Sequence, residues 1–231
     1  MPRFVSVSSF VLLIAFVFAG PVLALDRNEP PWRGEDGTTK AVWEFVTEGT
    51  PPGHYDAPDE WFGPGLTPPT MDVDAGIGRH WWDLWPPVGI DGECARQGVW
   101  PLSGIMVIEI PNYPPNPYKD IWVQITWASE TQLPGGAPFV AVYPEGQGTG
   151  ELVPMDTTIT LPDCPDWFHS TYKLTIEPNP RWERIVIQGN GYVDEVVVDT
   201  RCYVPEPGGL LAMITGSLGL VGFVSRRKAR R

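Results

Sequence analysis

The sequence predicts an all-β body, an antiparallel β-sandwich or jelly roll, on three observations. Apolar residues recur at period two in short runs, as in half-buried strands. Turn residues punctuate those runs, with 27 Pro and 25 Gly among 231 residues. Windows long enough for an amphipathic helix are mostly broken by proline, which lacks a backbone donor and clashes with the preceding turn. A chain 42% hydrophobic with 11 Trp is too apolar for disorder, and 19% charged residues argues against a coiled coil.

The elements follow in order. Thr39 to Thr47 carries Val42, Trp43, Phe45 and Val46, and reads as a strand. Pro51 to Pro69 reads as a proline-rich loop. Ile105 to Ile110 is apolar except for Glu109. Ile121, Val123, Ile125 and Trp127 alternate with Trp122, Gln124 and Thr126, which places the second set on the opposite face. Phe139 to Tyr143 is short and apolar. Gly146-Gln147-Gly148-Thr149-Gly150 has no Lys after it and no βα unit around it, so it reads as a hairpin loop and not a phosphate cradle. Thr157 to Leu161 follows, then Tyr172, Leu174 and Ile176 alternating with Lys173, Thr175 and Glu177. Arg184 to Gln188 and Tyr192 to Asp199 flank Gly189-Asn190-Gly191. Asn-Gly tolerates positive φ, so this spacing predicts a tight hairpin. The expected class is a galactose-binding-like sandwich over residues 25–203.

Both ends read as addresses. Arg3, the apolar run Phe10 to Phe18 and the small residues Val22 and Ala24 form a signal peptide over residues 1–24. At the other end, Val204-Pro205-Glu206-Pro207 precedes Gly208 to Val224, 17 residues without a charge. That length is the lower limit for a transmembrane helix. Arg226, Arg227, Lys228, Arg230 and Arg231 follow, a basic stop that stays in the cytoplasm and leaves the body outside.

The order Pro-Glu-Pro, apolar span, basic tail over residues 204–231 resembles the PEP-CTERM sorting signal. The resemblance implies a substrate of exosortase, an inner-membrane transpeptidase-like enzyme of bacteria that make exopolysaccharide. It implies that Pro205, Glu206 and Pro207 are the recognition motif, that Gly208–Val224 is a transient anchor in the inner membrane, and that the basic residues are the cytoplasmic stop. The expected destination is the cell surface or the extracellular biofilm matrix, and the expected role is non-enzymatic.

For the body, the 16 Lys and Arg less Arg3 and the five in the tail leave 10. The 28 Asp and Glu less Glu206 leave 27, for a net charge of about −17. Such a surface argues against nucleic acid as a partner and suits calcium or a cationic partner. Export permits a disulfide, and of Cys94, Cys164 and Cys202 the expected pair is Cys164–Cys202. Cys94 is then left over, either inert and buried or reactive. His54, His80 and His169 are scattered, and no Gly-x-Ser-x-Gly is present. Asp72/Asp74, Asp91/Glu93, Asp163/Asp166 and Asp194/Glu195 are turn carboxylates or ligands of a structural calcium ion. The aromatic cluster Trp81, Trp82 and Trp85 either packs as core and rim or offers a glycan platform. No cofactor is expected beyond such a calcium ion.

Overall fold

A computed structural model describes residues 26–65, 67–85, 96–112, 116–129, 136–146, 149–162 and 164–204. Residues 1–25, where a signal peptide is expected, residues 205–231 and Cys94 lie outside the described residues. So the expected sorting motif, anchor and basic stop, and the first domain boundary, lie outside them too.

The described residues form strands and no α-helix. In order they are β1 (Thr38–Trp43), β2 (His54–Tyr55), β3 (Glu60–Phe62), β4 (Thr70–Asp74), β5 (Trp82–Trp85), β6 (Arg96–Leu102), β7 (Ile105–Pro111), β8 (Tyr118–Ser129), β9 (Phe139–Pro144), β10 (Glu151–Leu152), β11 (Met155–Leu161), β12 (Cys164–Ile176), β13 (Trp182–Gln188) and β14 (Gly191–Tyr203). Every pairing among them is antiparallel.

Two sheets result. The larger runs β11-β12-β8-β14-β1-β3, with β6 joined to the other end of β14 and β5 beyond it. The smaller runs β10-β9-β13-β7-β4-β2. One core cluster draws Trp43, Ile121, Ile125, Trp127 and Val198 from the first sheet and Met71, Met106, Ile108, Val142 and Ile185 from the second. The sheets therefore pack face to face, each offering alternate residues inward.

The expected strands at 105–110, 121–127, 139–143, 157–161, 172–176, 184–188 and 192–199 all form, and β9 pairs with β10 on either side of the glycine run, whose residues 147 and 148 lie outside the described residues. Besides the strand expected over 39–47, which ends at Trp43 before the left-handed Phe45, three expectations need correction. Residues 51–69 are not simply a loop: they place β2 on one edge of the smaller sheet and β3 on an edge of the larger, where proline is tolerated. Gly189-Asn190-Gly191 does not close a hairpin. β13 pairs with β7 and β9, β14 pairs with β8, β1 and β6, and the tripeptide crosses between sheets. Neither Asn190 nor Gly191 takes a positive φ. Gly191 is needed for close approach, since a Cβ there would stand 2.4 Å from the Ala128 carbonyl oxygen.

The third correction is the Cys164–Cys202 disulfide, which does not form. Cys202 pairs across to Lys119, and Lys119 to Ile176. Cys164 opens the same strand that Ile176 ends, about 40 Å away at the rise of an extended chain. A disulfide needs Cα atoms within about 7 Å.

Candidate functional site

The aromatic cluster singled out in the sequence is divided by the fold. Trp81 precedes β5, is half-buried against the core, and donates from Nε1 to the Phe45 carbonyl oxygen at 2.9 Å. Phe45 is itself fully buried with a φ of 53°, a left-handed conformation rare for an aromatic residue. Gly98 lets the two chains meet there, because a Cβ would fall 2.0 Å from the same oxygen. Trp81 thus acts as a plug. Trp82 lies opposite Val99, its ring 5.9 Å from that of Tyr192 and 6.2 Å from His80. The side chain of Trp85 lies outside the description.

A second aromatic group, not singled out by the sequence reading, lies where β14 ends. Trp122 projects from the outer face of β8, and Trp32 meets it edge-on at 6.4 Å between ring centroids. Lys173 Nζ from the neighbouring strand sits 3.8 Å from the Trp122 ring centroid and 2.7 Å from Asp156. Arg201 places its guanidinium 5.2 Å from Trp32 and 4.5 Å from Tyr203. Asp120 accepts hydrogen bonds from Arg201 Nη2 at 2.8 Å and Thr175 Oγ1 at 2.7 Å. Trp32, Asp120, Trp122, Lys173 and Thr175 line an open cleft of about 260 Å³. Trp122 Nε1 and Arg201 Nε have no hydrogen-bond partner among the described residues. Aromatic faces beside a carboxylate and cations can bind an oxygen-rich ligand with an apolar face. The available signal was the alternation in β8, which put a tryptophan on the polar side of a strand.

The same outer face of the larger sheet holds a buried polar layer beneath residues 26–33. Gln124 Oε1 accepts from the Asn28 backbone N–H and from His169 Nε2, both at 3.1 Å, and Gln124 Nε2 donates to Asp26 at 2.9 Å. His169 Nδ1 is 3.0 Å from Thr126 Oγ1. Burial holds the imidazole neutral, down to about 4. Arg33 grips Asp199 with two bonds of 2.6 Å and also meets Asp26. Burial pushes the Asp199 carboxyl up to about 6 against the pull of Arg33. Asp194, with Arg96 at 3.5 Å, is pushed up to about 7 by burial. Glu183 is raised by burial beside Lys119.

These buried carboxylates each face a cation, an arrangement that differs from two carboxylates across a scissile bond. His54 bridges Asp72 at 2.6 Å and Asp56 at 2.9 Å on the surface, and those bonds raise its pKa. Among the described residues, no group of three or more His, Cys, Asp or Glu is placed to hold a metal ion. Asp91, Glu93 and Asp163 lie outside them. No described helix is long and apolar enough to cross a membrane.

No family model and no curated protein matches the chain. Among solved structures, it is similar to a family GH115 4-O-methyl-alpha-glucuronidase, BtGH115A, with specificity for decorated arabinogalactans. That likeness has 12% identity and a TM-score of 0.29, covering 44% of this chain and 14% of the enzyme.

Proposed function

We propose that this chain is an exported, non-enzymatic surface or extracellular-matrix protein, sorted by exosortase and associated with exopolysaccharide in a biofilm. The reading rests on the tripartite C-terminus together with where β14 ends. β14 runs to Tyr203, so Val204 alone separates it from Pro205. A central strand thus continues almost directly into the motif. The two-sheet body suits a galactose-binding-like jelly roll. Replacing Pro205, Glu206 and Pro207 with Ala is expected to leave the protein in the inner membrane with its tail attached, as read by fractionation and C-terminal peptide mapping. Normal export and trimming of that variant would overturn the reading.

A second reading, a carbohydrate-binding module, is favoured by the cleft between Trp32 and Trp122 more than by Trp81, Trp82 and Trp85. Pull-down with polysaccharide from the source cell tests it, with calcium and then with EDTA. Trp122→Ala should lower the retained fraction without changing the melting temperature. Loss of binding in EDTA would add the expected calcium ion. Retention indifferent to Trp122 would argue for a structural coat protein without this glycan site.

A further inference from the structure

At the crossover between the two sheets, three side chains from separate elements touch. Asn112 directly follows β7 in the smaller sheet, and Lys119 is the second residue of β8 in the larger. Glu183 is the second residue of β13, paired with Ile110. The Lys119 and Glu183 side chains are 1% and 0% exposed. Lys119 Nζ contacts both Asn112 Oδ1 and Glu183 Oε1. Asn112 Nδ2 donates to Glu183 Oε2 at 2.5 Å and to the Pro180 carbonyl oxygen at 2.8 Å.

A buried ion pair is a poor device for stability alone, since desolvating both charges offsets their attraction and apolar side chains do as well. Here the pair has a third member, a carboxamide pressed on the amine nitrogen. Its plane is fixed by contacts at both ends, and Cγ lies one C=O bond, about 1.2 Å, beyond the oxygen that Lys119 touches. A nucleophile, an electrophile and a proton carrier are therefore held together, with the amine and the carboxylate both buried.

We propose that Lys119 and Asn112 join in an intramolecular isopeptide bond, with Glu183 carrying the proton. The Glu183 carboxylate takes a proton from the Lys119 ammonium and leaves a neutral amine. The Nζ lone pair attacks Asn112 Cγ, forming the C–Nζ bond and moving the carbonyl electrons onto Oδ1. Glu183 relays a proton from Nζ to Nδ2, the C–Nδ2 bond breaks, and the carbonyl re-forms. Ammonia leaves, a secondary amide remains, and Glu183 ends as the neutral acid. No oxidant or reductant is needed. Burial, which raises the Glu183 carboxyl, makes it a stronger base for the first transfer and stabilises its neutral form at the end. Asn112 also lines a cleft of about 180 Å³ with Trp61, Gly63, Pro64 and Thr67, an exit for ammonia. The bond would tie the end of β7 to the start of β8 and replace a buried ion pair by neutral groups. The proposal rests on these three side chains and is independent of the sorting reading.

The test is peptide mapping of the full chain, purified in detergent, unfolded and digested with trypsin. Cleavage after Arg96, Lys119 and Lys173 would give separate peptides 97–119 and 120–173. A bridged Lys119 blocks the middle cut, so the expected product is a single 97–173 peptide lighter than its sequence by one ammonia. Its Lys119 should resist an amine label after unfolding. Glu183→Gln and Asn112→Ala are each expected to restore cleavage at Lys119. An intact, labelled 97–119 peptide from the unsubstituted protein would overturn the proposal. So would loss of ammonia with Lys119 still cleaved, the mark of Asn112 cyclising onto its own backbone. A bridged peptide in Glu183→Gln would remove Glu183 from the chemistry.

Discussion

The outer faces of the two sheets differ more than their inner ones. On the smaller sheet, β7, β9 and β13 alternate between buried and exposed residues, and the outer face carries Glu109 and Arg184 as a solvated pair at 2.6 Å. On the larger sheet, β8 and β14 are buried along most of their length on both faces. Over Gln124 and Asp199 the cover is the segment 26–33, which reaches that face through hydrogen bonds and ion pairs. Period two therefore identifies a face turned to water only where nothing lies over it. A polar residue on a strand marks either solvent or a buried network, and the difference depends on a remote segment.

The largest expected contrast comes from removing one member of an ion pair on each face. Asp199→Ala leaves Arg33 buried without its main partner and should cost about 3–5 kcal/mol, read as a shift in the urea midpoint. Removing Gln124 is next. Gln124→Ala strips acceptors from Asn28 and His169 and should cost about 1–3 kcal/mol, with faster hydrogen exchange in residues 26–33.

The pH response sharpens the same comparison. His169 titrates at about 4 in the fold against 6.5 unfolded, so the unfolded chain binds the extra proton between those values. Its contribution is lost as pH falls from 6.5 towards 4. Asp194 runs the other way, about 7 folded against 3.8, so the folded state holds the proton and stability falls as pH rises through that window. Denaturation across this range should show His169→Gln losing the acid-side slope and Asp194→Asn losing the opposing one. Identical slopes in the variants and the parent would refute these assignments. The smallest effect is expected on the solvated face, where Glu109→Ala should change stability by about 0.2–1 kcal/mol and less in high salt.

Local chemistry was legible wherever it depended on neighbours in sequence. Ile121 to Trp127 and Tyr172 to Ile176 showed their inward faces by alternation, and the glycines at 146–150 announced a hairpin. Gly189-Asn190-Gly191 misled because the same residues serve a hairpin or a crossing between sheets, and distant partners decided it: β7 and β9 for one strand, β8 and β1 for the other. The aromatic sequence neighbours of Trp81 fitted packing and a platform alike, and only the fold shows its Nε1 turned to the Phe45 carbonyl oxygen. Trp32 and Trp122 are 90 positions apart in the chain and meet only after β8 is laid beside the N-terminal segment. Asn112 and Lys119 are close in sequence, but nothing there announces Glu183, which arrives through β13.

The placement of β14 also has a mechanical meaning. It pairs with β8 along its whole length from Gly191 to Tyr203, and with β1 from Val196 to Arg201 on its other edge. Tension applied at Tyr203 runs along this strand, at right angles to its ladder bonds. Those bonds share the load in shear instead of failing one after another, as they would if an edge strand were peeled away. A body held at that end resists drag with the whole width of its larger sheet, and its lifetime under load is set by an unfolding rate and not by equilibrium stability.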